Sequence, residues 1–213
     1  MTNINFNSRR SPVYSKHGIV ATSQPLATAA GLEVLAKGGN AADAAVAAGA
    51  ALNVTEPTST GIGGDMFALY FSADTKRVTA LNGSGRAPSA LTLDRLKTDG
   101  FASSIPPFHP YTVTVPGACA GWCDLIQKHG SLSMSEISRP RSELARDGFP
   151  VAPITSYFWG RGVERQLKSA LNGHELTIDG RGPRAGKSSA TPGLARTFET
   201  VAEGARRRFI RAR

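Results

Sequence analysis

The chain has little of what several classes of protein need. Its 213 residues include only two cysteines, which is too few for a disulfide framework. No apolar run approaches the roughly 18 residues of a membrane-spanning helix. Aromatic residues make up 7% and charged residues 19%, yet hydrophobic residues reach 40%. This composition indicates a globular chain with an apolar core and argues against small disulfide-rich or membrane-spanning folds.

The beginning of the chain also lacks an apolar stretch. Residues 1–15 are polar and include Arg9 and Arg10, but no hydrophobic segment follows these charges. A secretory signal requires such a segment. We therefore expect a cytoplasmic protein without membrane partners.

Metal ligands and catalytic pairs are scarce. Cys119 and Cys123 lie four positions apart, which places them on one face of a helix. No histidine has the spacing to complete a zinc site with them, so two small buried side chains explain the pair. The four histidines also lack a Ser, Asp or Glu partner at an informative spacing. We expect no metal and assign no catalytic residue.

Two glycine-rich segments resemble phosphate-binding loops but have the wrong spacing. The segment GIGG at 61–64 is followed by Met66 where the dinucleotide fingerprint needs a third glycine. In the segment GPRAGKS at 182–188, a Walker A loop would need glycine at the position of Arg181. We therefore expect no cofactor, and an independent nucleotide-binding enzyme is a disfavoured hypothesis.

The positive charge is concentrated at one end of the chain. The net charge is +9, and residues 1–138 hold 10 basic and 9 acidic side chains, whereas residues 139–213 hold 15 and 7. A basic surface suggests nucleic-acid binding, but no aromatic ladder or recognised DNA-binding motif accompanies it. We expect no nucleic-acid partner. A non-catalytic interaction module that uses this basic C-terminal third remains the alternative function.

Two helices are predicted near the start of the chain. Ser23 is expected to cap the first, and Asn40 caps the second with Asp43 in its first turn. The second helix is almost entirely Ala, Val, Gly and Leu over 41–52, which predicts burial on every face. The helix-start role is sufficient to explain Asp43. For Asp65 in the glycine loop, a role as a carboxylate of a functional site is an open alternative.

The rest of the pattern mixes strands and helices without regular alternation, which favours an α+β class. Within the helix predicted at 133–147, Pro140 should break the backbone ladder. The predicted strands lie at 18–22, 66–72, 78–81 and 112–115, and the further helices at 91–99, 118–129, 133–147, 155–170 and 192–204.

Many short segments together resemble the gamma-glutamyltransferase family of N-terminal-nucleophile hydrolases. The most informative is GGNAADAAVA at 38–47, and the order and spacing of the others make the resemblance specific. The matching segments are 18–21, 25–27, 30–35, 38–47, 56–57, 61–67, 85–88, 113–117, 121–122 and 144–151.

The resemblance implies an αββα layered sandwich, of which this chain would form an incomplete part. The resemblance implies that the protein is made as an inactive proenzyme, which cleaves itself before a Thr; that Thr becomes the nucleophile and the first residue of a small subunit. No Thr of these 213 residues sits in that cleavage motif. The chain is therefore expected to hold part of the large subunit, with the small subunit absent, and to be inactive alone. Its substrate would be a γ-glutamyl or related small amide.

Two residues are implied as substrate-binding. Glutathione-cleaving members place an Arg four residues before the Pro of an Ala-Pro pair, where it binds the substrate α-carboxylate. Counted back from Pro88, that position is Ser84, and the nearest guanidinium belongs to Arg86. The pattern resembles the glutathione hydrolase-like subgroup, so another small amide is an open alternative to a γ-glutamyl substrate.

Two stretches depart from the family character. Residues 138–142 are rich in Arg and Ser, and the chain becomes Arg-dense after Gly204. We interpret both as frameshift or sequencing damage, which resequencing of the locus would test. The predicted division is an extended arm at 1–17, a partial large-subunit region at 18–204 and a basic, aberrant tail at 205–213.

Overall fold

A computed structural model describes the backbone of residues 11–209 and the side chains of residues 11–204. The first ten residues of the predicted arm and the last four of the predicted tail lie outside this range. The described helices are α1 (Pro25–Ala36), α2 (Ala41–Thr55), α3 (Leu93–Thr98), α4 (Ala118–His129), α5 (Met134–Asp147), α6 (Pro153–Arg165) and α7 (Pro192–Phe209). The strands are β1 (Met66–Ser72), β2 (Arg77–Gly83), β3 (Phe149–Pro150) and β4 (Ser188–Ser189).

The first two helices pack against each other and begin at side-chain caps. Gln24, not the predicted Ser23, caps α1, because its side-chain oxygen accepts hydrogen bonds from the Leu26 and Ala27 amides. Ser23 instead donates to Glu56 at 2.7 Å. Asn40 caps α2 as predicted, and Asp43 completes a capping box with it.

The alanine-rich helix α2 forms the centre of the core, as its composition predicted. Eleven of its 15 residues are buried. Gly31 of α1 lies so close to this helix that an added Cβ would stand 3.2 Å from the Ala44 carbonyl oxygen. Small side chains thus let two helix backbones approach closely, and the helices α4, α5 and α7 contribute the larger apolar groups around them.

The predicted hairpin is confirmed. Strands β1 and β2 pair antiparallel, with Met66 opposite Gly83 and Ser72 opposite Arg77. Alternate residues of β1 face the core, where Ala68 and Tyr70 pack, whereas the intervening apolar residues face outward. In the described part of the chain the hairpin has no third strand.

Two other predicted strands are wrong. Residues 18–22 form no strand, and in the segment 112–115 the first residue ends a short 3-10 helix at Pro110–Thr112. Neither segment finds a strand to complete a ladder with, and an apolar run alone cannot supply one. The 112–115 segment makes one backbone hydrogen bond to a distant part of the chain, from the Val115 amide to the Arg86 carbonyl at 3.0 Å.

Pro140 does not break α5, which corrects the prediction. The helix runs from Met134 to Asp147 with Pro140 inside it. Tertiary contacts outweigh the missing backbone bond, because Arg141 is 4% exposed and forms an ion pair with Glu33 of α1 at 2.8 Å. Hydrogen bonding by Lys37 and the charge of Arg141 hold the pKa of Glu33 below its usual range. The Arg- and Ser-rich stretch is therefore packed into the fold.

The C-terminal helices differ from their predicted bounds. The helix α6 ends at Arg165, and a short 3-10 helix follows at Leu167–Ser169. The helix α7 continues to Phe209, past the predicted boundary at 204. Of the helices in residues 11–209, none is long and apolar enough to cross a membrane.

Candidate functional site

The glycine loop at 61–65 lies beside a shallow cleft of about 420 Å³. Asp65 lines this cleft together with Thr58 and Ser59 of the preceding loop and Trp122 of α4. Asn53 of α2 also lines it, and its buried Oδ1 has no hydrogen-bond partner among the described residues. A donor on a bound molecule would satisfy that acceptor, because a buried polar atom left without a partner is costly.

Asp65 has a structural role at this site. Its Oδ1 accepts hydrogen bonds from the Gly85 amide at 2.8 Å and from the Thr114 hydroxyl at 3.5 Å. The carbonyl of Gly64 accepts from the Gly117 and Ala118 amides at the start of α4. The glycine loop therefore joins α4 to the loop that carries both predicted substrate-binding residues.

The loop at 83–88 is held in one position by the segment that contains Val115. A Cβ on Gly85 would overlap the Val115 carbonyl oxygen, so only glycine fits there. The Arg86 carbonyl accepts from the Val115 amide on the same side. These contacts set the backbone direction at Ser84 and Arg86 without involving either side chain.

Ser84 and Arg86 are both exposed on this loop. Among residues 11–204, the Ser84 hydroxyl hydrogen-bonds only to the neighbouring Gly85 carbonyl, at 3.5 Å. Arg86 forms no ion pair with any residue the structure describes. Neither is among the residues that line the cleft. The loop thus presents one guanidinium to solvent, and such a group binds a carboxylate through paired hydrogen bonds.

No side chain in the described region is arranged as an activated nucleophile. His129 stacks on Tyr70 at 4.2 Å and contacts the Thr79 hydroxyl at 3.1 Å, which places it in the packing of the hairpin. Cys119 is buried, and its hydrogen bond with Cys123, together with burial, raises the pKa of its thiol. Residues 11–204 also hold no group of three acidic, His or Cys side chains suited to a metal ion.

The sequence did not predict which residues hold the loop at 83–88 in place. Thr114, Val115 and Gly117 were interpreted as part of a strand and its end, whereas they hold the Arg86 loop in place. The Val-Pro-Gly segment was a signal, since it belongs to the blocks that resemble the family. Its contact with residues 83–86 is long-range, and spacing along the chain could not reveal it.

Known proteins match the chain closely. The family model described as Gamma-glutamyltranspeptidase matches residues 27–211. The glutathione hydrolase-like YwrD proenzyme of Bacillus subtilis is 34% identical over 193 residues, covering 90% of this chain and 36% of that protein. The chain therefore spans about a third of the length of this relative. The family match includes most of residues 205–213, and their division from the rest as a tail stays a prediction.

Solved structures share the fold. The cephalosporin acylase of Bacillus halodurans superposes with a TM-score of 0.81 at 37% identity, covering 95% of this chain and 40% of that one. The gamma-glutamyltranspeptidase of Helicobacter pylori gives 0.82 at 28% identity, covering 91% and 56%. These likenesses confirm the α+β fold class as part of an N-terminal-nucleophile hydrolase fold. By family match, sequence identity and fold together, the chain belongs to the gamma-glutamyltranspeptidase family.

Proposed function

We propose that this chain supplies part of the substrate-binding half of an amidohydrolase. The reaction is acyl transfer from a γ-glutamyl or related small amide to water or an amine. The observation that carries the proposal is the loop at 83–88, which Asp65 and Val115 hold while Arg86 stays free of ion pairs in the described region. A carboxylate-bearing acyl group is the natural partner of that guanidinium.

We further propose that the 213 residues have no activity by themselves. The family nucleophile is a Thr exposed by self-cleavage, and no Thr of this chain sits in that motif. Purified protein should release no p-nitroaniline from a γ-glutamyl p-nitroanilide above the rate of buffer alone. Measured turnover that survives a second purification step would contradict this.

The substrate role of the loop predicts opposite effects for two substitutions. Arg86→Gln removes the guanidinium and should weaken binding of L-glutamine about fivefold, because an exposed charge-assisted hydrogen bond is worth about 1 kcal/mol. Ser84→Arg places a guanidinium at the position that glutathione-cleaving members use, and should strengthen the same binding. Isothermal titration of both variants against the native chain measures the two effects.

Arg95→Gln is a matched control for this experiment. It removes an exposed guanidinium that pairs with Asp99 on α3, away from the loop at 83–88. It should leave L-glutamine binding unchanged. Equal weakening by Arg95→Gln and Arg86→Gln would indicate a general charge effect, and the loop would lose its proposed role.

No particular contact favours the alternative function as a basic interaction module. Four basic side chains of the C-terminal third form ion pairs inside the fold: Arg141 with Glu33, Arg146 with Glu199, Lys168 with Glu164 and Arg196 with Glu175. Part of the positive charge is thus neutralised locally. Salt-dependent binding of an acidic partner would nevertheless support the alternative.

A further inference from the structure

A second cavity, of about 410 Å³, also borders the loop that contains Thr58 and Ser59. It is formed between this loop, Phe108, the C-terminal half of α6 and the short 3-10 helices that follow. Its volume is within the range of small-molecule sites. Neither Ser84 nor Arg86 lines it, so the function proposed above does not use it.

The floor of this cavity is apolar and rigid. Trp159 is 0% exposed, and its indole N–H donates to the Leu176 carbonyl at 2.8 Å. Leu167 and Leu176 extend the apolar wall, and Phe158 adds a half-exposed ring. The buried indole supports this wall from behind, and an apolar wall edged by an exposed aromatic ring favours a flat apolar group as the occupant.

Phe108 lines the cavity in a backbone conformation that aromatic residues rarely adopt. Its φ is 67°, and the His109 amide closes the turn by donating to the Pro106 carbonyl at 3.2 Å. Glycine is the residue that this position of a turn favours. A bulky side chain held in the left-handed region is a costly choice that function often explains. Here the ring stands 55% exposed beside the cavity.

The charged groups that line the cavity are all positive. Arg161 and Arg165 lie one turn apart on α6, and both line it, whereas no Asp or Glu does. Arg161 donates to the Tyr157 hydroxyl at 3.3 Å and lies over that ring, which fixes its position. Glu164, between the two arginines in sequence, is engaged with Lys168 at 2.7 Å. Two guanidiniums without a carboxylate in the same cavity favour an anion.

We infer that this cavity is a binding site for a small carboxylate with an aromatic body. The ring packs between Phe108 and Phe158, against the apolar wall that the buried Trp159 supports, and the carboxylate faces the guanidiniums of Arg161 and Arg165. This site uses none of the groups assigned to the 83–88 loop, so it stands or falls independently of the proposed function.

The test is equilibrium dialysis of the 213-residue chain against labelled 3-phenylpropionate, which is insensitive to the assembly state of the protein. We expect saturable binding. The neutral analogue 3-phenylpropionamide should bind about fivefold more weakly, because partly exposed charge-assisted bonds contribute about 1 kcal/mol. The double variant Arg161→Gln/Arg165→Gln should weaken binding of the acid by a similar factor and leave binding of the amide unchanged.

Two further variants separate this site from general effects. Arg184→Gln removes an exposed charge that does not line the cavity and should not alter binding. Phe108→Gly removes the ring where the turn favours glycine, so binding should weaken while the melting temperature stays the same or rises. Absence of saturable binding, equal affinity for acid and amide, or equal weakening by Arg184→Gln would each overturn the inference.

Discussion

Replacing Asp43 by alanine is expected to remove a large part of the stability of this chain. The carboxylate is fully buried and accepts hydrogen bonds from the Asn40 amide at 2.8 Å and from the Ser131 amide at 2.9 Å, with Leu132 nearby at 3.3 Å. It therefore caps α2 and also ties that helix to the loop before α5. Its loss leaves three partly buried amides without this acceptor, at about 1 kcal/mol or more each.

The expected loss for Asp43→Ala is about 3 kcal/mol or more, against a total of about 5–15 kcal/mol for a typical domain. Urea unfolding followed by circular dichroism measures it. Glu136→Ala is the matched control, because Glu136 forms the same capping box at the start of α5 but bonds only to Ser133. Its effect should be much smaller. Equal losses in the two variants would show that the long-range bonds of Asp43 contribute little.

The second large effect concerns the outer face of the hairpin, which we define by Phe67, Leu69, Phe71 and Val78. These side chains are 58–80% exposed and adjacent on one side of the two paired strands. Both long edges of the hairpin are also unpaired in the described chain. Contiguous apolar surface and open strand edges promote association. We expect the purified chain to oligomerise or aggregate.

The double variant Leu69→Lys/Phe71→Lys should shift the chain toward the monomer without lowering its melting temperature, because both side chains already face solvent. Light scattering and a thermal melt measure the two quantities. Ala68→Lys is the matched control in the same strand, since Ala68 packs against the core and a charge there should destabilise the fold. A monodisperse native monomer with a cooperative melt would contradict the prediction.

Much of the fold followed from local patterns. The Asn40 cap, the buried helix over 41–52 and the hairpin of strands at 66–72 and 78–81 were predicted because each depends on residues close together in sequence. The strand expected at 112–115 failed for the opposite reason, since a strand needs a partner that its own residues do not specify. The prediction for Pro140 was wrong for a similar reason. Helix propensity is a local property and does not include the burial of α5 or the Arg141–Glu33 ion pair.

The candidate site shows the same division. Arg86 and Ser84 could be named from a motif, and Asp65 could be suspected from its glycine loop. The hydrogen bond between the Asp65 carboxylate and the Gly85 amide joins residues 20 positions apart, and no spacing rule predicts it. The second cavity brings Thr58, Phe108 and Arg165 together from separate segments, so it had no signature in the sequence.

The sequence by itself determined the family resemblance, the α+β class and the start of the central helix within GGNAADAAVA at 38–47, because small residues, caps and glycines act within a few positions. The tertiary structure decided what that segment does beyond capping. The Asp43 carboxylate accepts hydrogen bonds from amides about 90 residues away, in the loop between α4 and α5, and so holds α2 against that loop. It also decided which loop displays a guanidinium and which apolar face stays uncovered. Those outcomes depend on contacts between distant segments, which form only when the whole chain packs.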